Sequence, residues 1–157
     1  MSFNGNPRNP IAIFENIIRR SYSFWKAFYP KLQDRFPEYK EISLDEFYNM
    51  INRVKPSLIR TEADEVTYSL HVIIRYEIEK MMVEEKVSVD GVPCLWNEKY
   101  EEYLGVKPEN DSVGILQDVH SSEALIGYFP SYALGNLYGA KFYYQMKKDI
   151  PDLKGKT

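Results

Sequence analysis

Residues 62–83 read EADEVTYSLHVIIRYEIEKMMV and contain neither Pro nor Gly. Within them Val66, Leu70, Ile73, Ile74, Ile78 and Met81 give a broad apolar face at the helical period. A helix of about 20 residues spans about 30 Å, enough to cross a domain. On the N-terminal side, Lys55-Pro56 ends whatever precedes, because the residue before a proline avoids helical angles. Thr61 with Asp64 three positions later forms a variant capping box for the long helix. On the C-terminal side, Val87, Val89 and Val92 flank Asp90-Gly91, which fits a small hairpin and a plain turn equally well. The fold class expected is all-α, predominantly helical, with at most one small β-hairpin.

The helical period continues outward in both directions. Upstream, Asn9-Pro10 is a helix start. Ile11, Phe14, Ile18, Tyr22, Trp25, Phe28 and Leu32 follow at steps of three or four, with Pro30 and Pro37 expected to break or punctuate the run. Ser43 with Glu46 is a capping box opening a short helix through Phe47, Met50 and Ile51. Downstream, Asn97 is expected to cap a short helix that Gly105 ends. Residues 106–114 read as a loop. Ile115 to about Lys148 then reads mostly helical, with Pro130 at a helix start and Lys147-Lys148 complementing a helix C-terminus. Gly135 and Gly139, one turn apart, suit close packing of helices. The organisation expected is a disordered lead-in over 1–10, one helical domain over 11–150 and a tail over 151–157.

Composition narrows the functional classes. The chain has 157 residues, 44% of them apolar and 27% charged, and a net charge of −3. That balance gives no bulk attraction to nucleic acid or to an anionic membrane. The one cysteine, Cys94, cannot pair within the chain, which favours a reducing, cytoplasmic setting. No apolar run approaches the roughly 20 residues of a membrane span. The two histidines, His71 and His120, lie far apart in sequence, which excludes His-Glu-x-x-His and every compact multi-histidine metal motif.

Two short stretches could carry chemistry. Arg60 stands just before a helix whose first turn holds Glu62, Asp64 and Glu65. Those carboxylates complement the exposed N–H groups of a helix start, whereas a guanidinium fork there can grip a carboxylate at two points. Further on, residues 114–120 read GILQDVH, and Asp118 with His120 could form an oriented acid–imidazole pair. Cys94, between Pro93 and Leu95, reads as a buried, inert thiol, and His71 as a core or boundary residue of its helix.

Taken together these segments resemble one family. IRTEADEVTYSLHVIIRYEIE is similar to the Ile-(Arg/Tyr)-x-x-Ala-Asp segment of the carboxypeptidase Taq family of metallocarboxypeptidases. GILQDVHSSEALIGYFPSYALGNLY resembles that family's Gly-x-x-Gln-Asp-x-His-Trp segment and the stretch behind it. FENIIRRSYSFWKAFYPKLQDRFPE resembles the segment after the family's third zinc ligand. The similarity runs from Phe14 to about Lys147. It implies the second half of a helical cleft in which zinc or cobalt serves the release of C-terminal amino acids from peptides. It also implies that Arg60 helps hold the substrate's terminal carboxylate or polarised carbonyl. Gln117, Asp118 and His120 would line the same groove with Asp64, His120 as the catalytic member, and Tyr128 would donate a hydrogen bond to substrate.

The metal-bearing features of that family are missing from the sequence. There is no His-Glu-x-x-His, and Arg8 stands where the third ligand, a Glu, is expected. A cation offers zinc no lone pair. Ser121 replaces the Trp after His120, and Arg19 stands where Gly is frequent. A makeshift site from Asp118, His120 and Glu123 is the remaining candidate for a metal, and nothing in the resemblance supports it. The expectation is therefore a C-terminal segment of a metallocarboxypeptidase, inactive by itself and without metal ligands. A different class of function also fits: a non-catalytic helical pseudopeptidase or interaction module that binds a peptide terminus or a partner subunit. Peptide C-termini and a second copy of the chain, as a homodimer, are the partners expected.

Overall fold

A computed structural model of the chain describes residues 13–150, in which every regular element is helical and no strand occurs. The expected lead-in over 1–10, the tail over 151–157, the Asn9-Pro10 helix start and Arg8 lie outside the described residues. Contacts divide the chain into two compact units. One comprises the described residues of Met1–Arg53 and Leu134–Thr157, the other Val54–Ala133.

In the first unit, Ile13–Ile18 forms a π-helical turn, and Ser21 then caps helix α1, Tyr22–Arg35, by accepting from Phe24 N. The expected continuous helix is thus interrupted at Ser21, whose hydroxyl satisfies a backbone donor that a continuing helix would use internally. Pro30 lies inside α1 and does not end it. The flanking side chains hold it in place: Tyr29 Oη donates to Ile42 O at 2.9 Å and Gln33 Nε2 to Tyr39 O at 3.0 Å. Pro37 does punctuate the chain, opening a 3-10 turn over Pro37–Glu41. The Ser43–Glu46 capping box forms as read and starts α2, Leu44–Ile51. Phe47 of α2 is buried against Trp25 and Tyr29, with ring centroids 4.6 and 4.8 Å apart.

The second unit is built on α3, Glu65–Val83, and α4, Val92–Leu104. Ile74 and Ile78 of α3 pack with Val92, Trp96, Tyr100 and Leu104 of α4 to form its core. Each fully buried side chain of this kind contributes roughly 1.5–3 kcal/mol. Glu77 strengthens the pair of helices, accepting from Tyr103 Oη at 2.7 Å and lying 3.0 Å from Lys99 Nζ. The cap of α3 is Asp64 rather than Thr61, which sits in a 3-10 turn over Arg60–Glu62.

The hairpin reading at 87–92 gives way to a 3-10 turn, Val89–Gly91, leading directly into α4. Gly91 adopts φ −84°, ψ −14°, not the positive φ of a hairpin turn, and Pro93 in the first turn of α4 favours helix. The helix therefore starts before Asn97, which lies within it, and ends at Gly105 with φ 66° as read. Cys94 is exposed, not buried. It lies two residues, about 200° of helical rotation, from Val92, which faces the core together with Trp96 and Tyr100.

Beyond residue 105, Asp111–Val113 and Ile115–Gln117 form 3-10 turns and Val119–Ser122 the short helix α5. Helix α6 then runs Ser131–Asp149, with Lys147 and Lys148 in its last turn and Gly139 buried. No helix among the described residues is long and apolar enough to cross a membrane.

Candidate functional site

Of the residues singled out from sequence, Arg60 and His120 meet within the second unit at Phe129, which is fully buried. Arg60 leaves the 3-10 turn before α3 and sets its guanidinium carbon 5.0 Å from the Phe129 ring centre. Its Nε is buried with no hydrogen-bond partner, and among the described residues Arg60 forms no ion pair. His120, on α5, meets the same ring at 5.1 Å and is flanked by Tyr128 at 5.9 Å and Tyr132 at 5.8 Å. Burial, then the positive charges of Arg60 and Arg75, hold the His120 imidazole below its ordinary pKa, against the opposing pull of Asp118 and Glu123. Its buried Nδ1 has no hydrogen-bond partner among the described residues. The site thus offers a neutral imidazole and a cation with no counter-ion among the described residues, both against one aromatic ring.

The other members are fixed by their neighbours. Asp64 Oδ1 accepts from Val66 N and Thr67 N, each at 2.9 Å, and Oδ2 accepts from Lys55 N and Thr67 Oγ1, also at 2.9 Å. Both carboxylate oxygens are therefore spent on closing the turn that carries Arg60. Gln117 donates from Nε2 to Ser112 O at 2.6 Å. Asp118 caps α5, accepting from Ser121 N at 3.1 Å and Ser121 Oγ at 2.6 Å. Tyr128 is half exposed, stacked on His120, with no hydrogen bond holding its hydroxyl among the described residues.

His71 lies in the core, as its sequence position suggests, and with Arg75 and Glu79, which the apolar pattern does not single out, it forms the stripe on α3 that supports this cluster. His71, Arg75 and Glu79 recur every four residues, lie on one face and are all buried. His71 Nδ1 is 3.0 Å from Tyr100 Oη, and burial with the charges of Arg75 and Arg60 pushes its pKa down to about 4. Arg75 donates from Nη2 to Gln117 O at 2.7 Å, and its Nη1 lies 2.8 Å from Asp118 Oδ1, an ion contact without good hydrogen-bond alignment. Glu79 Oε2 accepts from Gly127 N at 2.7 Å. Gly127 has φ 79°, a conformation that costs a side chain-bearing residue dearly, just ahead of Tyr128 and Phe129. Burial raises the Glu79 pKa, opposed by the Gly127 N–H and by Arg75. The signal in the sequence is the spacing itself, titratable side chains at every fourth position of an otherwise apolar face.

An apolar cavity of about 350 Å³ lies beside this stripe, lined by Ile78, Met82, Val92, Trp96 and Ile115 with Arg75 at its wall. Neither Arg60 nor His120 lines it. As to metal, no three His, Cys, Asp or Glu side chains converge among the described residues. Asp118 is committed to Ser121 and Arg75, and His120 sits in the field of two guanidiniums.

A profile of the carboxypeptidase Taq (M32) metallopeptidases matches residues 11–157. Carboxypeptidase 1 of Bacillus subtilis is 53% identical over 140 residues, which cover 88% of this chain and 28% of that protein. Thermostable carboxypeptidase 1 of Thermus thermophilus is 43% identical over 141 residues, 90% of this chain and 28% of that protein. The solved Pyrococcus furiosus carboxypeptidase superposes with a TM-score of 0.91 at 42% identity, over 95% of this chain and 30% of that one. The M32 carboxypeptidase of Deinococcus radiodurans likewise gives 0.91 at 39% identity, over 94% and 30%. The chain thus spans just over a quarter of the length of the curated relatives it matches.

Proposed function

The chain belongs to the carboxypeptidase Taq (M32) metallopeptidase family, and from that membership we propose that it supplies the part of a metallocarboxypeptidase that grips the substrate's C-terminal carboxylate. One observation carries the reading: Arg60 holds a guanidinium without an ion-pair partner among the described residues, against Phe129 and beside a neutral His120. A carboxylate is the ligand that matches such a fork in charge and geometry. In this reading Arg60 binds the terminal carboxylate and His120, through its uncharged ring, exchanges a hydrogen bond or a proton with the substrate. Tyr128 donates from its hydroxyl, Gln117 and Asp118 form the wall, and Asp64 fixes the turn from which Arg60 reaches.

The whole reaction would be the release of C-terminal amino acids from peptides. The 157 residues contain no His-Glu-x-x-His, so the metal chemistry would have to come from residues other than these. By themselves they are expected not to turn over. The exposed side chains of Phe14, Phe28, Leu137, Phe142 and Tyr144 support self-association as a homodimer. The single Cys94 supports a cytoplasmic setting. The test is release of C-terminal amino acids together with elemental analysis after zinc and cobalt loading. Binding of free-carboxylate peptides without turnover or stoichiometric metal supports the reading. One equivalent of tightly held metal with turnover contradicts it.

A further inference from the structure

Arg75 is buried at the centre of the cluster without facing the proposed ligand itself. We propose that Arg75 is the positioning residue of the site, holding the Gln117–Asp118 turn and the Phe129 ring in the places from which His120 and Arg60 meet a carboxylate. This deepens the function proposed above and rests on it. Two routes lead outward from the one guanidinium. Along the first, Nη2 donates to Gln117 O at 2.7 Å and Nη1 contacts Asp118 Oδ1 at 2.8 Å. Asp118 in turn caps α5 through Ser121 N and Oγ, and α5 carries His120. Along the second, the guanidinium carbon lies 4.8 Å from the centre of the Phe129 ring, against which both Arg60 and His120 rest. The ring of Trp96, in the core, lies 5.3 Å from the same guanidinium carbon.

The fold alone does not call for a cation there. Desolvating a charge is costly, and well-packed apolar side chains of similar volume often replace buried ion pairs without loss of stability. What an apolar side chain cannot do is bond a main-chain carbonyl and contact a carboxylate in one plane while stacking on an aromatic ring. A planar guanidinium does all three, and an ammonium does not. Arg75 is therefore placed for the geometry of the 117–120 segment.

Nuclear magnetic resonance of the ligand-free chain reads this directly. The chain has two histidines, so His120 is assignable by single replacement. Its ring protons carry shifts from the Tyr128, Phe129 and Tyr132 rings. Arg75→Met and Arg75→Lys, each checked for helicity by circular dichroism, should move those resonances toward the free-imidazole position, without rescue by Lys. Both should weaken binding of a hexapeptide with a free C-terminal carboxylate about tenfold, as expected for a disordered charge-assisted contact. His120 resonances unmoved in a folded Arg75 variant would overturn the proposal. Should both variants fail to fold, Asp118→Asn decides, since it keeps an oxygen for Ser121 and removes the charge facing Arg75. Movement of His120 then supports the proposal, and none overturns it. If the parent chain binds no peptide, the carboxylate reading fails while the His120 resonances still decide the role of Arg75.

Discussion

Replacing Asp64 with Ala should cost stability well beyond an ordinary surface change. The side chain accepts four hydrogen bonds at 2.9 Å, from Val66 N, Thr67 N, Thr67 Oγ1 and Lys55 N. Loss of an N-cap alone costs about 1 kcal/mol, up to about 2. The bond from Lys55 N, charge-assisted and outside the helix, adds roughly 1 kcal/mol because the site is partly open to water. The total expected is on the order of 2–3 kcal/mol, or a fall in Tm of about 4–12 °C for a chain of this size. Urea unfolding followed at the far-UV helical signal measures it. Asp64→Asn, which keeps an acceptor, should lose about half as much. The pH dependence carries the same signature. Burial alone would raise the Asp64 pKa, but the hydrogen bonds from Thr67, Lys55 and Val66 win and lower it. A lowered folded-state pKa means the contribution is present above the unfolded value, about 3.9, and is lost as pH falls through the folded one. A loss below about 0.5 kcal/mol, in the range of a neutral surface substitution, would refute the assignment of Asp64 as the cap that fixes Arg60's turn.

Two further perturbations test the supporting frame. His71, with its pKa pushed down to about 4, stays neutral when folded while the unfolded chain takes up a proton near pH 6.5. Stability should therefore fall as pH drops from about 6.5 to about 4, by on the order of 3 kcal/mol, and His71→Gln should flatten that part of the urea-midpoint profile. Trp96 is fully buried and stacked on Tyr100 at 4.9 Å, so Trp96→Ala should cost roughly 3–5 kcal/mol by the same unfolding assay.

The sequence is most legible where the governing interactions are local. Residues 62–83 declare a helix because periodicity and the lack of Pro and Gly act within a few turns, and the Ser43–Glu46 box declares its helix start for the same reason. Choosing between Thr61 and Asp64 as the cap is harder, since both carry acceptors at the right spacing. Asp64 prevails because it also receives Lys55 N, a contact that local pattern does not reveal. The position of Cys94 depends on the true start of α4. Once the helix begins at Val92, residue 94 turns outward. The candidate site was half visible. Arg60, Gln117, Asp118, His120 and Tyr128 stand in recognisable segments. Arg75 and Glu79 were passed over because a count of apolar positions ignores charges, and their partners Asp118 and Gly127 lie more than forty residues away in sequence. Burial of such charges becomes intelligible only when those partners are in place.

The central claim is that Arg60 presents a cation to a peptide's terminal carboxylate, and calorimetric titration of matched peptides tests it most directly. Parent chain and Arg60→Ala would each be titrated with one hexapeptide in free-carboxylate and amidated forms. The account predicts that the parent prefers the free carboxylate and that Arg60→Ala removes this preference. The expected loss is about 1.5–3 kcal/mol, roughly ten- to over a hundredfold in Kd, with the amidated peptide unaffected. A parent that binds both forms equally, or an Arg60→Ala variant that keeps the full preference, would contradict it.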